Sequence, residues 1–218
     1  MNNTKVKDFR QKDRSRPIDI TDIAISKVPQ TRIPGFSTEQ NEFIQDMHKE
    51  LLRRAQYLNR INNSKKMEFG ILIDIHTWQS WVIDGRKECE VEMQYNPLAV
   101  QNLQSASKNS RMFMHNHPST GTFSGEDVKM FCNHDTLYMM TVIGNDASVY
   151  ILIKDINFDS ELVLKDYMKF AIKYLEKGYT KNNGTLAIRD VLNNASKYGL
   201  IYKKGRHKVW KDKKTEKK

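Results

Sequence analysis

Met112-Phe113-Met114-His115-Asn116-His117-Pro118, followed by Ser124-Gly125-Glu126-Asp127, is the stretch from which the fold is read. Phe113 and Met114 belong to a short apolar run of strand character, with His115 and His117 at its end. Strand side chains alternate between faces, so residues two apart point the same way and both imidazoles face one point. Pro118 has no N–H to give and ends the ladder. Ten residues after His117 stands Asp127, in a Ser-Gly-Glu-Asp run that reads as the first turn of a helix. Two imidazoles and a carboxylate, without a fourth protein ligand, are the set expected of a catalytic zinc with an open position. Two plainer readings accompany this one. Ser124-x-x-Asp127 is close to a helix capping box, and a histidine near an apolar strand is commonly a satisfied core residue. His-x-His, then Pro, then Ser-x-x-Asp is a rarer combination, and it favours the metal.

Working outward, residues 64–155 alternate strands and helices. Strands are predicted over Glu68 to Ile75, Trp78 to Ile83, Cys89 to Met93, Arg111 to Met114, Leu137 to Ile143 and Ser148 to Lys154. Asp84-Gly85-Arg86 reads as a turn between the second and third, and Gly144-Asn145-Asp146-Ala147 as a hairpin turn between the last two. Pro97 through Ala106 suggests a helix with Leu98, Val100 and Leu103 inward, and Asp127 to about Asn133 another that presents Val128 and Phe131. The expected fold class is mixed α/β (α+β): a central, largely antiparallel sheet flanked by helices.

Around that unit, residues 1–36 read as an irregular arm with Pro17, Pro29 and Pro34. Ser37 opens a helix, with Gln40 at the reciprocal capping position. Phe43, Ile44, Met47, Leu51, Ala55 and Leu58 give it one apolar face, and Asn62-Asn63-Ser64 ends it. This leading helix and the sheet make one domain over 37–155. Residues 156–202 read as a C-terminal helical appendage, with helices over Glu161 to Glu176 and Thr185 to Lys197. After it, Leu200-Ile201-Tyr202 is expected to turn at Lys204-Gly205-Arg206 and pair with Lys208-Val209-Trp210.

Charge is concentrated in the ends. The net charge is +10, of which residues 203–218 carry +7 and residues 1–16 carry +4, leaving 17–202 at −1. Such tails hold nucleic acid by neutralising phosphates, or are simply solvated ends. No run approaches the roughly 18 apolar residues of a membrane span, and the polar start Met1-Asn2-Asn3-Thr4-Lys5 is not a signal peptide. Cys89 and Cys132 are too few for a disulfide framework, so a reducing cytoplasm is expected. Cys132-Asn133-His134 offers further potential metal ligands. A zinc nucleobase deaminase is excluded, because it needs His-x-Glu and Pro-Cys-x-x-Cys. Oligomeric state leaves no mark on the sequence.

His115-Asn116-His117-Pro118 with Ser124-x-x-Asp127 resembles the JAMM (MPN+, JAB-domain) metallopeptidases, whose signature is His-x-His, a short spacer and Ser-x-x-Asp. That family includes deubiquitinating isopeptidases, bacterial and phage-encoded relatives, and RadC-type proteins that share the His-Asn-His-Pro-Ser start. The similarity covers about residues 66–154. The long helix before it also looks like the lead-in of JAMM-type domains in phage minor head proteins. The resemblance implies a sheet of the JAMM and cytidine-deaminase-like kind, zinc held by His115, His117 and Asp127, and a bacterial or phage-infected cell as the setting. It also implies that Glu68, ahead of Gly70-Ile71-Leu72, is the general base for the attacking water. Ser124 would then donate to the developing oxyanion. Read without the family, Glu68 is an ordinary strand residue, and Glu88, Glu90 and Glu92 are rival carboxylates on a neighbouring strand. Six residues separate His117 from Ser124 where the family usually has seven, a loop that Gly121 helps to close. The function implied is hydrolysis of a peptide or isopeptide bond in a protein or peptide substrate. Alternatives are a RadC-like nucleic-acid-associated protein, or an assembly protein using the domain as a binding module.

Overall fold

The computed structural model describes residues 16–180 and 182–205. Six strands form one sheet: β1 (Met67–Asp74), β2 (Ser80–Glu88), β3 (Arg111–His117), β4 (Leu137–Gly144), β5 (Val149–Lys154) and β6 (Leu200–Gly205). Their spatial order is β2-β1-β3-β4-β5-β6. Only β3 and β4 run parallel; the other neighbours are antiparallel. The mixed α/β class expected from the sequence is the class observed.

Among the described residues, six α-helices cover the two faces. α1 (Asp22–Ser26) and α2 (Thr38–Ile61) lie on one side, where Ile44, Leu51, Leu52 and Ala55 pack against Ile71, Ile73, Met112, Met114, Ile151 and Ile153. α3 (Pro97–Ser105), α4 (Gly125–Asn133), α5 (Ser160–Glu176) and α6 (Asn183–Asn193) supply the other, closing over Leu72, Phe113, Met140, Val142 and Leu152. The alternation along β3 explains both cores. Met112 and Met114 face α2, while Phe113 faces the opposite layer, the face that also carries the two histidines.

Local chemistry sets the helix starts as the sequence suggests. Ser37 Oγ accepts from the Gln40 N–H, and the Gln40 side chain accepts from the Ser37 N–H at 2.7 Å, a complete capping box. Asn62 caps the other end of α2. The arm before α2 is less irregular than its prolines imply. Thr21 caps the short α1, and Ile20, Ile25, Val28 and Ile33 are buried beneath it. Residues 1–15 of the arm lie outside the described residues.

Three further expectations are corrected. Asp84-Gly85-Arg86 is not a turn: it runs inside β2, and Met93–Tyr95 is a 3-10 turn rather than the end of a separate strand. Between Met67↔Glu88 and Phe69↔Asp84 the register shifts, so these residues form a bulge in β2. α3 is rotated from the expected phase, burying Ala99 with Leu103 and leaving Leu98 exposed. Finally, the segment after residue 155 is no separate appendage. Val163, Ile188, Val191 and Leu192 belong to the core above the sheet, and β6 pairs with β5. The expected partner strand at 208–210 lies outside the described residues, as does the basic tail from residue 206. Among the described residues no helix is long and apolar enough to cross a membrane.

His48 on α2 is a buried polar group in the first of these cores. Its Nε2 faces Thr141 Oγ1 on β4 at 2.8 Å, and burial lowers its pKa from 6.5 to about 3. The unfolded chain therefore binds a proton that the folded one refuses between those values. Stability is full above the unfolded pKa and falls with acidification, by at most about 1.4 kcal/mol per pH unit. We expect His48→Met to flatten the pH dependence of stability between pH 6 and 4 in urea titrations. An unchanged slope would assign the acid sensitivity elsewhere.

Candidate metal centre

The β3–α4–β4 unit builds the site. β3 delivers His115 and His117 to one face, as their spacing requires. The loop from Pro118 to Phe123 then turns the chain into α4. It closes despite its length because its backbone is tied down: Asn145 N–H donates to the carbonyls of His117 and Ser119, and Tyr150 Oη donates to the Thr120 carbonyl at 2.9 Å. Ser124 caps α4, and Asp127 is the third residue of the helix, facing back to the strand.

Three donors meet there. His115 Nε2 lies 3.1 Å from His117 Nε2 and 3.0 Å from Asp127 Oδ1, while His117 Nε2 lies 3.3 Å from Asp127 Oδ2. Among the described residues this is the group of His, Cys, Asp or Glu side chains positioned to share a metal ion. Four ligands held tetrahedrally at the usual zinc distances of about 2.0–2.1 Å stand about 3.3 Å apart. The 3.1 Å between the two imidazole nitrogens is close to that edge, Asp127 turns a different oxygen to each ring, and one ligand atom from each residue lies within 4.8 Å of the others. The donor set itself, two nitrogens and a carboxylate oxygen, suits zinc.

Asp127 plays two parts at once. Its Oδ2 accepts from the Ser124 N–H at 2.6 Å, and Ser124 Oγ accepts from the Asp127 N–H at 3.1 Å, so the capping box is complete. The same carboxylate presents an oxygen to each histidine. The helix N-terminus favours a negative charge at this position. Burial works against its ionisation, but His115 and His117 prevail and hold the carboxyl well below the usual aspartate range. Burial likewise resists charge on His117; the hydrogen bond and charge of Asp127, with the charge of Glu68 and the Thr122 backbone, together outweigh it and raise the pKa. The Nε2 atom of His117 points to the centre, 3.1 Å from that of His115. His115 is held differently. Its ring stacks on Phe113 with centroids 5.2 Å apart, and its Nδ1 is buried with no hydrogen-bond partner. Room for Phe113 comes from Gly70, where a Cβ would approach the ring to 2.8 Å.

Glu68 on β1 is on the same face of the sheet, two residues before Gly70, which pairs with His115. It is 8% exposed, so the reading of it as an ordinary exposed strand residue is overturned. Burial raises its carboxyl pKa, against the pull of His117 and His115. It stands outside the group of three donors but close enough to feel all of them. Of its rivals, Glu88 is turned to Ser64 and Lys66, and Glu90 is near enough to oppose the charge on Glu68. Ser124 is exposed at the helix start with its hydroxyl proton uncommitted to the cap, since Oγ is the acceptor there. Cys132 and His134 do not join the centre. The Cys132 thiol is buried and pushed up to about 12, and His134 Nδ1 bonds the Met130 carbonyl.

Sequence reading missed Asn116, taken only as the middle of His-x-His. It is fully buried, facing away from the metal centre, and its amide bonds the start of β1. A signal was present: asparagine is depleted in strands, and one standing in an otherwise apolar strand needs partners for its amide.

No family model, curated protein or solved structure matches the chain.

Proposed function

We propose that this chain is a zinc-dependent peptidase or isopeptidase of the JAMM kind, hydrolysing an amide bond in a protein or peptide substrate. The observation that carries this reading is the convergence of His115, His117 and Asp127 at separations of 3.0–3.3 Å beside a buried Glu68. His117 and Asp127 retain 13% and 15% side-chain exposure, which leaves the centre an open side. His115, His117 and Asp127 would hold the metal; when bound, zinc acts as a Lewis acid and lowers the pKa of a water to around 7.

The remaining work falls to the protein. Glu68 accepts a proton as water attacks the scissile carbonyl, and returns it to the leaving amine. Its raised pKa suits this duty, because a base must also be able to act as an acid in the second half of the reaction. Ser124 donates its hydroxyl proton to the oxygen on which charge develops. A donor fixed in advance in this way contributes roughly 2.7–4 kcal/mol in comparable sites. The capping bond that orients Ser124 Oγ therefore also prepares it for catalysis.

The test uses the full chain. Purified protein should hold one zinc per molecule by elemental analysis. It should cleave members of a quenched-fluorescent peptide library or a lysine-isopeptide-linked peptide. Removing the metal with a chelator should abolish cleavage, and added zinc should restore it. Protein that binds no zinc, or cleaves equally well after chelation, would overturn the assignment.

A further inference from the structure

Glu68 occupies a place where the pairing of β1 has ended on one side and is bulged on the other. The β1–β3 register runs from Asp74↔Arg111 to Gly70↔His115 and goes no further. On the other side, β2 bulges between Glu88 and Asp84, opposite Met67 to Phe69. A residue between two interrupted ladders would ordinarily be free to shift. Asn116 prevents this. Its Oδ1 accepts from the Phe69 N–H at 2.7 Å and its Nδ2 donates to the Met67 carbonyl at 3.2 Å, bracketing Glu68 from both sides in the chain. The amide is itself steadied, since Nδ2 also reaches Asn145 Oδ1 at 3.5 Å, and Asn145 donates to the Ile18 carbonyl at 2.9 Å. From the β2 side, Gly85 lets the strands close up, because a Cβ there would lie 1.9 Å from the Glu68 carbonyl oxygen.

We propose that Asn116 is a positioning residue for Glu68: its side-chain amide replaces the missing ladder and fixes where the base stands relative to the two histidines that flank Asn116 in sequence. The role of Glu68 rests on the peptidase reading above; the clamp on its backbone does not. β3 therefore sends two side chains to the metal centre from one face and, from the other, holds the neighbouring strand that carries the base. One heptapeptide sets the distance between ligands and base.

The experiment compares wild type, Asn116→Ala and Asn116→Asp, alone and combined with Glu68→Gln. In zinc-free protein, the Phe69 amide should exchange slowly in wild type and fast in Asn116→Ala, with a shifted carboxyl carbon resonance for Glu68. Asn116→Asp keeps an acceptor for Phe69 and should retain much of the protection. It carries the test if the alanine variant does not fold. In zinc-loaded protein, Asn116→Ala should lower kcat on the isopeptide-linked peptide about 10²-fold, the scale expected for a misplacement near 1 Å. KM and zinc affinity should hold. In the Glu68→Gln background the same change should cost nothing more.

An unprotected Phe69 amide in wild type, an equal rate loss with and without Glu68, or a parallel loss of zinc affinity would each overturn the proposal. If wild type cleaves nothing, the peptidase reading fails, while the exchange and resonance measurements still judge the clamp.

Discussion

Glu68→Gln is expected to keep its zinc and lose its activity. The substitution preserves shape and hydrogen-bonding capacity but cannot take up a proton, so the water must be deprotonated without a positioned base. General-base catalysis contributes about 10²–10⁴-fold, and kcat should fall within that range with little change in KM. The fold should not suffer. Glu68 is 8% exposed and burial works against its charge, so a neutral amide removes a desolvation cost. The melting temperature of the metal-free variant should equal or exceed that of wild type. This combination separates chemistry from architecture. A variant as active as the parent would take Glu68 out of the mechanism, and one that had lost zinc would make it a ligand instead.

The second large effect is expected at Asp127, where two functions share one carboxylate. Asp127→Ala removes one of the three donors proposed for the metal and half of the capping box. Zinc affinity should drop by more than the roughly 10–100-fold typical of losing an outer hydrogen-bond partner. The metal-free protein should lose about 1 kcal/mol from the frayed start of α4, in line with other cap removals. Asp127→Asn tells the two roles apart. Its amide oxygen still accepts from the Ser124 N–H, so metal-free stability should recover most of the loss, whereas the neutral group remains a poor partner for a divalent ion. Calorimetric zinc titrations and melts with and without chelator read both quantities. Wild-type affinity in Asp127→Ala would remove the residue from the centre and leave it a cap alone.

The dual use of Asp127 also explains why the sequence offered two readings of Ser124-x-x-Asp127 that looked like alternatives. Capping needs one carboxylate oxygen and one hydroxyl lone pair. Oδ2, the oxygen that accepts the capping bond, has a further lone pair toward His117, Oδ1 faces His115, and the Ser124 hydroxyl proton remains for a substrate. The two chemistries coexist because a carboxylate oxygen can accept more than one hydrogen bond. A spacer one residue short of the family's usual length did not prevent this, because Asn145 and Tyr150 hold the loop from outside it.

Other misreadings have similar physical causes. Asp84-Gly85-Arg86 carries the residues of a turn, yet glycine is equally the residue of a bulge where another backbone comes close. Which applies depends on Glu68, 17 positions away, whose carbonyl needs the space that Gly85 leaves. α3 is short, and Ala99 can replace Leu98 in the inward phase with a small rotation. The pairing of β6 with β5 was not legible, because the two strands stand about 46 positions or more apart, and the hairpin expected with 208–210 lies outside the described residues.

Local sequence by itself determined the strand alternation that aims His115 and His117 together, the cap that starts α4 at Ser124, and the amphipathic α2 that covers one face. Each of these depends on neighbours within a turn or two of chain, where periodicity and hydrogen-bonding capacity are legible. Tertiary structure alone decided that Asp127 serves both histidines and the helix cap at once, that Glu68 is buried beside them, and that Asn116 holds the strand on which Glu68 stands. Those outcomes depend on contacts across 10 to 49 positions, set by sheet register and by which buried polar groups find partners. No local pattern encodes them.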